Sequence, residues 1–317
     1  MQSRGGCLNR QARYINVGDG HLLYVETQGA TAALPVLVLH DGPGYGSREG
    51  DRQLLAGLPY CQICIDQRGA GRSLPAGSLE ANTTLDVVAD FEAVRQALGI
   101  PAWVIVGGGW GSLLALVYAQ LFTERTRGLV LHGVFLGSAE EITTAWAGFR
   151  QWLTEVAPDF WQKSGFTAEA ASQPSALALI TDLSAAPAAE RPLAAYWRDY
   201  RRQQLGLPPA KGEPDAGQLA QAALQLHYLR HGYFLRAGQL LAGLRHLRHL
   251  PAVIVQGSND PLCPAVSAET LHHHWPEATW MPLRNAGHGP ADPAIARALR
   301  KGVAWVAAAV ESEVSGS

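Results

Sequence analysis

A glycine-rich turn between an apolar strand and a helix is the first feature with chemical meaning. Residues 104–112 read Val-Ile-Val-Gly-Gly-Gly-Trp-Gly-Ser, and Gly109 stands where the turn G-x-S-x-G presents a nucleophilic serine. Gly107 and Gly111 supply the small residues that so tight a turn needs on either side. A dinucleotide-binding G-x-G-x-x-G loop fits less well, because Ser112 occupies its third glycine position. The sequence predicts a nucleophile elbow without its hydroxyl.

An aspartate and a histidine follow two later predicted strands, in the order that such an elbow requires. Asp260 comes after the strand 252–256, and His288 comes after the strand 279–283. Both side chains would emerge at the carboxyl edge of a parallel sheet, where reactions take place in open α/β sheets. An aspartate that accepts the Nδ1 proton would leave Nε2 of His288 as a general base.

A third segment predicts donors for an oxyanion. The residues His-Asp-Gly-Pro-Gly at 40–44 follow the predicted strand 36–39. A turn there lets the backbone N–H of Gly42 face the elbow, and the N–H of Trp110 would complete an oxyanion hole. By itself the segment is also compatible with an ordinary tight turn. A serine at position 109 would lie beneath these amides and within reach of His288.

The elements that position these residues read as an α/β fold. Several predicted strands are continuous apolar runs, which is typical of strands covered on both faces in a mostly parallel sheet. The predicted strands are, in all, 21–27, 36–39, 62–66, 104–106, 128–132, 252–256 and 279–283. Between 138 and 237 the pattern changes to helical segments without strand signals. We expect a core of residues 1–137 and 238–317, interrupted by a helical cap at 138–237.

Composition excludes several functional classes. Of 317 residues, 47% are hydrophobic and 16% charged, and the net charge is −2, which gives no electrostatic case for nucleic acid or an anionic membrane surface. Without a signal peptide or a membrane-spanning run, we expect a cytoplasmic protein with a small-molecule substrate and no cofactor. A homo-oligomer is compatible with this sequence. No metal site is expected at 272–274 or at Cys61 and Cys64, whose side chains would point to opposite faces of a strand.

The motifs together resemble the prolyl iminopeptidase family of α/β-hydrolases. The matching segments are HDGPG at 40–44 (family HGGPG), DQRGAGRS at 66–73 (DQRGxGRS), NTT at 82–84, GGGWGS at 107–112 (GGSWGS), GSNDPLCP at 257–264 (GRYDxxCP) and AGH at 286–288. The resemblance implies a mostly parallel eight-stranded sheet flanked by helices, with an inserted helical cap. It also implies Asp260 and His288 as acid and base, Gly42 and Trp110 as oxyanion donors, and Gly109 in place of the nucleophile.

The departures from this family lie around the expected active site. Asp41 replaces a glycine and places a carboxylate close to the oxyanion hole. In the family's cap, two glutamates in Trp-x-x-Trp-Glu and Ile-Glu-x-x-Tyr-Phe hold the substrate's amine. The nearest matches here contain Trp197 and Tyr233, and they put Arg201 and Arg230 at the glutamate positions. An ammonium site would thereby become a carboxylate or phosphate site, although exposed cap arginines remain the plainer alternative.

Three functional hypotheses remain open at this point. The first is an enzyme for a small amide, ester or related acyl compound, in which His288 and Asp260 activate water or substrate. The second is an engineered Ser-to-Gly variant of a serine aminopeptidase, and the third is a binding protein without catalysis. Ser112 and Cys263 are poor substitutes for the nucleophile, because the family has the same residue types at these positions. The retained dyad favours an enzyme without serine acyl transfer.

Overall fold

The computed structural model describes residues 10–163 and 191–315. Its central sheet has eight strands in the order β1-β2-β4-β3-β5-β6-β7-β8. Strands β3 to β8 pair in parallel, and β1 and β2 are antiparallel at one edge. The bounds are β1 (Arg10–Gly18), β2 (His21–Gln28), β3 (Leu34–Leu39), β4 (Tyr60–Ile65), β5 (Trp103–Gly109), β6 (Thr126–Val134), β7 (Ala252–Gly257) and β8 (Thr279–Leu283). The predicted fold class is confirmed.

The described helices flank this sheet or form the cap. They are α1 (Glu49–Arg52), α2 (Thr84–Ala97), α3 (Trp110–Leu121), α4 (Ala139–Val156), α5 (Pro158–Lys163), α6 (Arg191–Gln204), α7 (Ala216–Arg230), α8 (Gln239–Gly243), α9 (Ala265–His274) and α10 (Pro293–Ser315). Short 3₁₀ turns lie at Thr123–Arg125, Gly232–Phe234 and Leu244–His246. The predicted start of α2 at Thr84 is confirmed by Thr83, whose hydroxyl accepts the N–H of Asp86.

The continuous apolar strands pack on both faces, as the sequence predicts. Ile105 joins a cluster with α2, α3 and α9, whereas its neighbours Val104 and Val106 join a second cluster with α10. Every residue of β5 is buried. This two-sided packing holds the carboxyl ends of β3, β5, β7 and β8 at one edge, where the loops that follow them meet.

Strand β1 was not among the strands predicted. Its sequence Arg-Gln-Ala-Arg-Tyr-Ile-Asn-Val-Gly is mostly exposed, because β1 is an edge strand that pairs only with β2. Such a strand lacks the apolar run that identified the others. The one strand that the sequence did not predict is therefore the exposed, antiparallel edge strand.

The described part of the predicted cap is helical and packs around aromatic side chains. Helices α4, α6 and α7 share a cluster that includes Phe149, Trp197, Tyr200 and Leu226. Helix α7 also contacts the core, where the ring of Tyr228 lies 4.7 Å from that of Trp110. Residues 164–190 of the predicted cap lie outside the described residues, so the division at 137/138 and 237/238 stays a prediction.

Candidate active site

The turn between β5 and α3 has the geometry of a nucleophile elbow. Gly109 ends the strand with φ +52° and ψ −121°, and α3 begins at Trp110. A positive φ of this kind is strained for residues with a side chain and free for glycine. A Cβ at Gly107 would lie 2.3 Å from the carbonyl oxygen of Gly111, so the turn admits no side chain there.

Asp260 and His288 meet beside this turn. Nδ1 of His288 lies 2.7 Å from Oδ2 of Asp260, whose side chain is only 1% exposed. The other oxygen of Asp260 accepts the backbone N–H groups of Leu262 and Cys263, each at 2.9 Å. These bonds fix the carboxylate, which in turn orients the imidazole ring. The structure thus places the predicted acid and base in contact.

Asp41 fills the space in front of Gly109. Its Oδ1 accepts the backbone N–H of Trp110 at 2.8 Å, and its Oδ2 lies 3.1 Å from Nε2 of His288. A Cβ on Gly109 would lie 2.1 Å from Oδ1 of Asp41, closer than any real contact. The carboxylate therefore occupies the room of a side chain at position 109, and the amide predicted to bind an oxyanion already binds an internal anion.

The three side chains form a charged unit. Burial alone would lower the pKa of His288, but the hydrogen bonds to Asp260 and Asp41 outweigh it and raise this pKa well above 6.5. Burial would raise the pKa of Asp41, yet the bond and charge of His288, with the N–H groups of Gly42 and Trp110, hold it well below 3.8. At neutral pH an imidazolium lies between two carboxylates. This differs from the expected neutral base, because a second carboxylate, that of Asp41, lies against Nε2.

Three hydrogen bonds connect the loop that carries Asp41 to its neighbours. Nε2 of His40 accepts the N–H of Gln67 at 3.1 Å, so its Nδ1 carries the proton and donates to the carbonyl of Asp41 at 2.6 Å. The indole of Trp110 donates to Oε1 of Gln67 at 2.8 Å. The segment 66–73 thus ties the Asp41 loop to the first residue of α3.

Neither alternative nucleophile is set up for attack. The hydroxyl of Ser112 donates to the carbonyl of Gly109 at 2.7 Å and accepts the N–H of Phe135 at 3.0 Å, and the side chain is fully buried. Cys263 lies beside His288, but burial raises the pKa of its thiol to about 11. A protonated thiol is a weak nucleophile. The two hydrogen bonds of the Ser112 hydroxyl give this residue a structural role in the elbow.

We expect the Ser112→Ala variant to lose stability but not the charged unit. The Phe135 N–H would lose its acceptor, at a cost of about 1 kcal/mol in the free energy of unfolding. Urea denaturation measures this loss. The ring-proton resonances of His288 should stay unchanged in the variant, and a clear shift would place Ser112 within the active centre.

His132 is a site residue that the sequence reasoning missed. It lies near the carboxyl end of β6, and its Nδ1 lies 3.1 Å from the carbonyl oxygen of His288. Burial lowers the pKa of His132 to about 4, so the ring is neutral and donates from Nδ1 to that carbonyl. A histidine at the carboxyl end of a predicted strand was the available signal. His132 also excludes a side chain at position 108, where a Cβ would lie 2.0 Å from the imidazole.

A cavity of about 260 Å³ opens in front of Asp41 and His288. Its walls come from the loops after β3, β7 and β8, from the ends of β5 and β6 and from the segment after α6. The lining residues are Leu39, Asp41, Tyr45, Gly46, Arg48, Gly50, Asp51, Gly108, His132, Leu205, Leu262, His288, Gly289, Pro290, Ala291 and Asp292. This volume suits a small organic molecule.

Arg201 brings a positive charge from the cap toward this cavity. It lies in the last turn of α6, one turn before the cavity residue Leu205, and is half-buried. Burial lowers the pKa of Arg201, but Tyr45 and Asp41 nearby outweigh this effect and raise it. Within 10–163 and 191–315, no carboxylate lies within ion-pair distance of its guanidinium, which donates to Gln204 at 2.7 Å. Tyr233, another predicted site residue, is also near Arg201 and packs 5.6 Å from the Trp110 ring.

Two predicted substrate contacts have other surroundings. Trp197 is a packing residue of the cap, because its ring lies 4.9 Å from Phe149 and its N–H donates to Gln225 at 2.6 Å. That it contacts substrate stays a prediction. Arg230 ends α7 near His227, and it is not part of the cavity wall. Burial lowers the pKa of His227, and the charge of Arg230 adds to this effect. Similarity in short cap motifs did not show which helix face turns inward.

The described residues offer no resident metal site. Within 10–163 and 191–315, no group of three or more His, Cys, Asp or Glu side chains is arranged to hold a metal ion. In the same part of the chain, none of the helices is both long and apolar enough to cross a membrane.

Comparisons with known proteins agree with the geometry of the core. Residues 35–292 match the family model described as alpha/beta hydrolase fold. The chain is 38% identical over 304 residues to a proline iminopeptidase of Neisseria gonorrhoeae, a match that covers 92% of this chain and 94% of the relative. The chain belongs to the proline iminopeptidase family of α/β-hydrolases. A second relative, from Arabidopsis thaliana, is 36% identical over 298 residues, covering 90% of this chain and 77% of the relative.

Solved structures show the same fold at lower sequence identity. A proline iminopeptidase-related protein of Thermus thermophilus superposes with a TM-score of 0.58 and 23% identity, covering 94% of this chain and 99% of that chain. An esterase from Rhodococcus superposes with a TM-score of 0.56 and 18% identity, covering 93% and 98%. At these identities the likeness concerns the fold alone.

Proposed function

We propose that this chain is an enzyme that converts a small, anionic molecule in the cavity between core and cap, without a serine nucleophile. The observation that carries the proposal is the carboxylate of Asp41, bonded to the Trp110 amide and to His288 in front of Gly109. In this reading Gly109 stands at the family's nucleophile position. Asp260, His288 and Asp41 form the reacting centre.

Serine-type acyl transfer has no support at this centre. The elbow has no hydroxyl, and the oxyanion amide of Trp110 is engaged by Asp41. Removing the nucleophile of a serine enzyme leaves a residual acceleration of about 10³–10⁴, which depends largely on a free oxyanion hole. Peptidase turnover of the family type is therefore not expected here.

The close approach of Asp41 to Gly109 argues against a simple Ser-to-Gly variant. A serine side chain at position 109 would require the carboxylate to leave its place, because the Cβ would lie 2.1 Å from Oδ1. An aspartate at 41 and a glycine at 109 therefore fit together as a pair. A centre with an ionised carboxylate and an imidazolium proton donor facing a cavity also favours an enzyme over a binding protein.

Anion recognition by Arg201 provides the test of this function. We expect benzoate to bind more tightly than benzylamine, a ligand of similar size and opposite charge, because Arg201 has no described carboxylate partner. The Arg201→Gln variant should bind benzoate about tenfold more weakly, which is the order expected for losing one charge-assisted hydrogen bond. Calorimetry measures both ligands.

Arg202 on the same helix supplies the control, since its Nε donates to the carbonyl of Pro208. The Arg202→Gln variant should keep the affinity of the unmodified protein for benzoate. Tighter binding of benzylamine, or equal losses in both variants, would contradict the anionic substrate class.

A further inference from the structure

One side-chain oxygen combines ionisation, fixed position and access to the cavity. The side chain of Asp41 is 23% exposed, whereas that of Asp260 is 1% exposed. Oδ1 of Asp41 is anchored by the Trp110 amide, and Oδ2 lies on the side of His288, which also lines the cavity. Asp41 is thus held as an oxygen nucleophile would be held, with one oxygen fixed and the other near the substrate space.

We propose that Asp41 is the nucleophile of this enzyme and forms a transient ester with a saturated carbon of a small epoxide that carries a carboxylate. The proposal rests on the proposed function above and names its reacting residue and its substrate class. It concerns a different residue, bond and carbon type from serine acyl transfer.

Nucleophilic attack suits this carboxylate better than proton abstraction. His288 and the backbone amides keep the pKa of Asp41 well below its ordinary value, so the group binds protons weakly and is a poor general base. A carboxylate that stays ionised can still displace a leaving group from carbon. The reacting carbon is saturated because attack on an acyl group would create a second anion, and the Trp110 amide that would stabilise it is occupied.

The imidazolium of His288 supplies the proton for the first step. Oδ2 of Asp41 forms a bond to one epoxide carbon while the bond between that carbon and the ring oxygen breaks. The ring oxygen takes the proton from Nε2 of His288, which lies 3.1 Å from Oδ2 in the resting state. The products are a hydroxyalkyl ester of Asp41 and a neutral His288, so no further reactant is needed.

Water completes the cycle at the same atoms. Neutral His288, oriented by Asp260, takes a proton from water, and the hydroxide adds to the carboxyl carbon of Asp41. The negative charge develops on Oδ1, where the Trp110 amide donates at 2.8 Å. The ester bond then breaks, the departing oxygen of the diol takes a proton from His288, and the new acid proton of Asp41 passes to that ring. The amide thus serves as an oxyanion donor for the enzyme's own ester.

The cavity fits a substrate of this class. Its volume of about 260 Å³ admits only a small molecule, and the guanidinium of Arg201 lies close to Tyr45 and Asp41 on the cap side. A carboxylate bound by Arg201 would place the epoxide of a short acid between the cap and Asp41. Glycidate, which joins an epoxide directly to a carboxylate, is the smallest probe with both groups.

A single turnover of glycidate in water labelled with heavy oxygen tests the nucleophile directly. With enzyme in excess, the product should contain only light oxygen, and peptide mass spectrometry should find heavy oxygen at Asp41. Asp51 and Asp292, the other carboxylates of the cavity wall, should stay unlabelled. An acid quench early in the turnover should recover the Asp41 peptide with the mass of added glycidate. The His288→Gln variant, which lacks the proton donor for ring opening, should form neither this adduct nor heavy oxygen at Asp41.

The outcomes separate this proposal from the proposed function. Heavy oxygen in the released diol, with none at Asp41, would mean direct attack by water and would overturn the ester. The absence of both turnover and adduct would also overturn it, while tight benzoate binding that depends on Arg201 would leave the anionic substrate class standing. Loss of benzoate binding as well would remove the proposed function.

Discussion

The Asp41→Gly/Gly109→Ser double variant should become a serine-reactive protein, whereas Gly109→Ser alone should stay inert. We expect the double variant to react with a fluorophosphonate about 10³-fold faster or more than either single variant, because a triad nucleophile contributes at least this much. Asp41 blocks the single variant, since the introduced Cβ would lie 2.1 Å from Oδ1 and 2.7 Å from Cγ. Removing the carboxylate frees both the room and the Trp110 amide.

Mass spectrometry of the labelled peptide would measure this result. The Asp41→Gly single variant is the matched control, because it has the open oxyanion hole without a hydroxyl. Backbone strain at φ +52° costs the serine variants about 1–3 kcal/mol, so circular dichroism must show that they fold. Labelling of the Gly109→Ser variant alone would mean that Asp41 moves aside easily. A folded but unlabelled double variant would mean that the amides of Gly42 and Trp110 do not form an oxyanion hole.

The stability contributed by Asp41 should depend on pH in a defined window. The pKa of His288 is raised in the folded protein. Its contribution to the free energy of unfolding is therefore complete below pH 6.5 and is lost as the pH rises through the pKa of the folded protein. The pKa of Asp41 is lowered in the folded protein. Its contribution to the free energy of unfolding is therefore complete above pH 3.8 and is lost as the pH falls through the pKa of the folded protein. Between these limits, Asp41→Gly should lower the free energy of unfolding by about 3 kcal/mol, as expected for breaking a partly buried ion pair.

Urea denaturation across the pH range measures this difference between the two proteins. The groups that face His288 are Asp41, Asp260 and Cys263, with His132 packed 6.3 Å from its ring. Because His132 has a pKa of about 4, it gains charge only at the acid end of the window. A difference in stability that stays constant from acid to strongly alkaline pH would contradict the ion pair.

The sequence was sufficient to predict the backbone of the site. Gly107 is small because a Cβ there would meet the carbonyl of Gly111, and Gly109 has a positive φ; both reasons lie within the turn and are readable from a short segment. The order of Asp260 and His288 after two apolar strands indicated a shared sheet edge, because parallel strands end together. Periodicity and spacing therefore gave the fold class and the contact between acid and base.

What the sequence could not give is the direction of individual side chains. The position of Asp41 depends on contacts with Trp110 and His288, which come from segments 69 and 247 residues away along the chain. The raised pKa of His288 follows from that position and not from any motif. Trp197 illustrates the same limit, since a helical motif similar to the family's did not show that its ring packs inside the cap.

The protonation state of His288 decides whether Asp41, His288 and Asp260 form a charged unit. Nitrogen–proton NMR correlation of the ring, assigned with the His288→Gln variant, reports whether each nitrogen carries a proton. We expect both Nδ1 and Nε2 to be protonated at neutral pH, and we expect Asp41→Gly to return the pKa of His288 toward the value set by Asp260 alone. A ring with one protonated nitrogen and a pKa near 6.5 in the unmodified protein would contradict the charged unit of Asp41, His288 and Asp260.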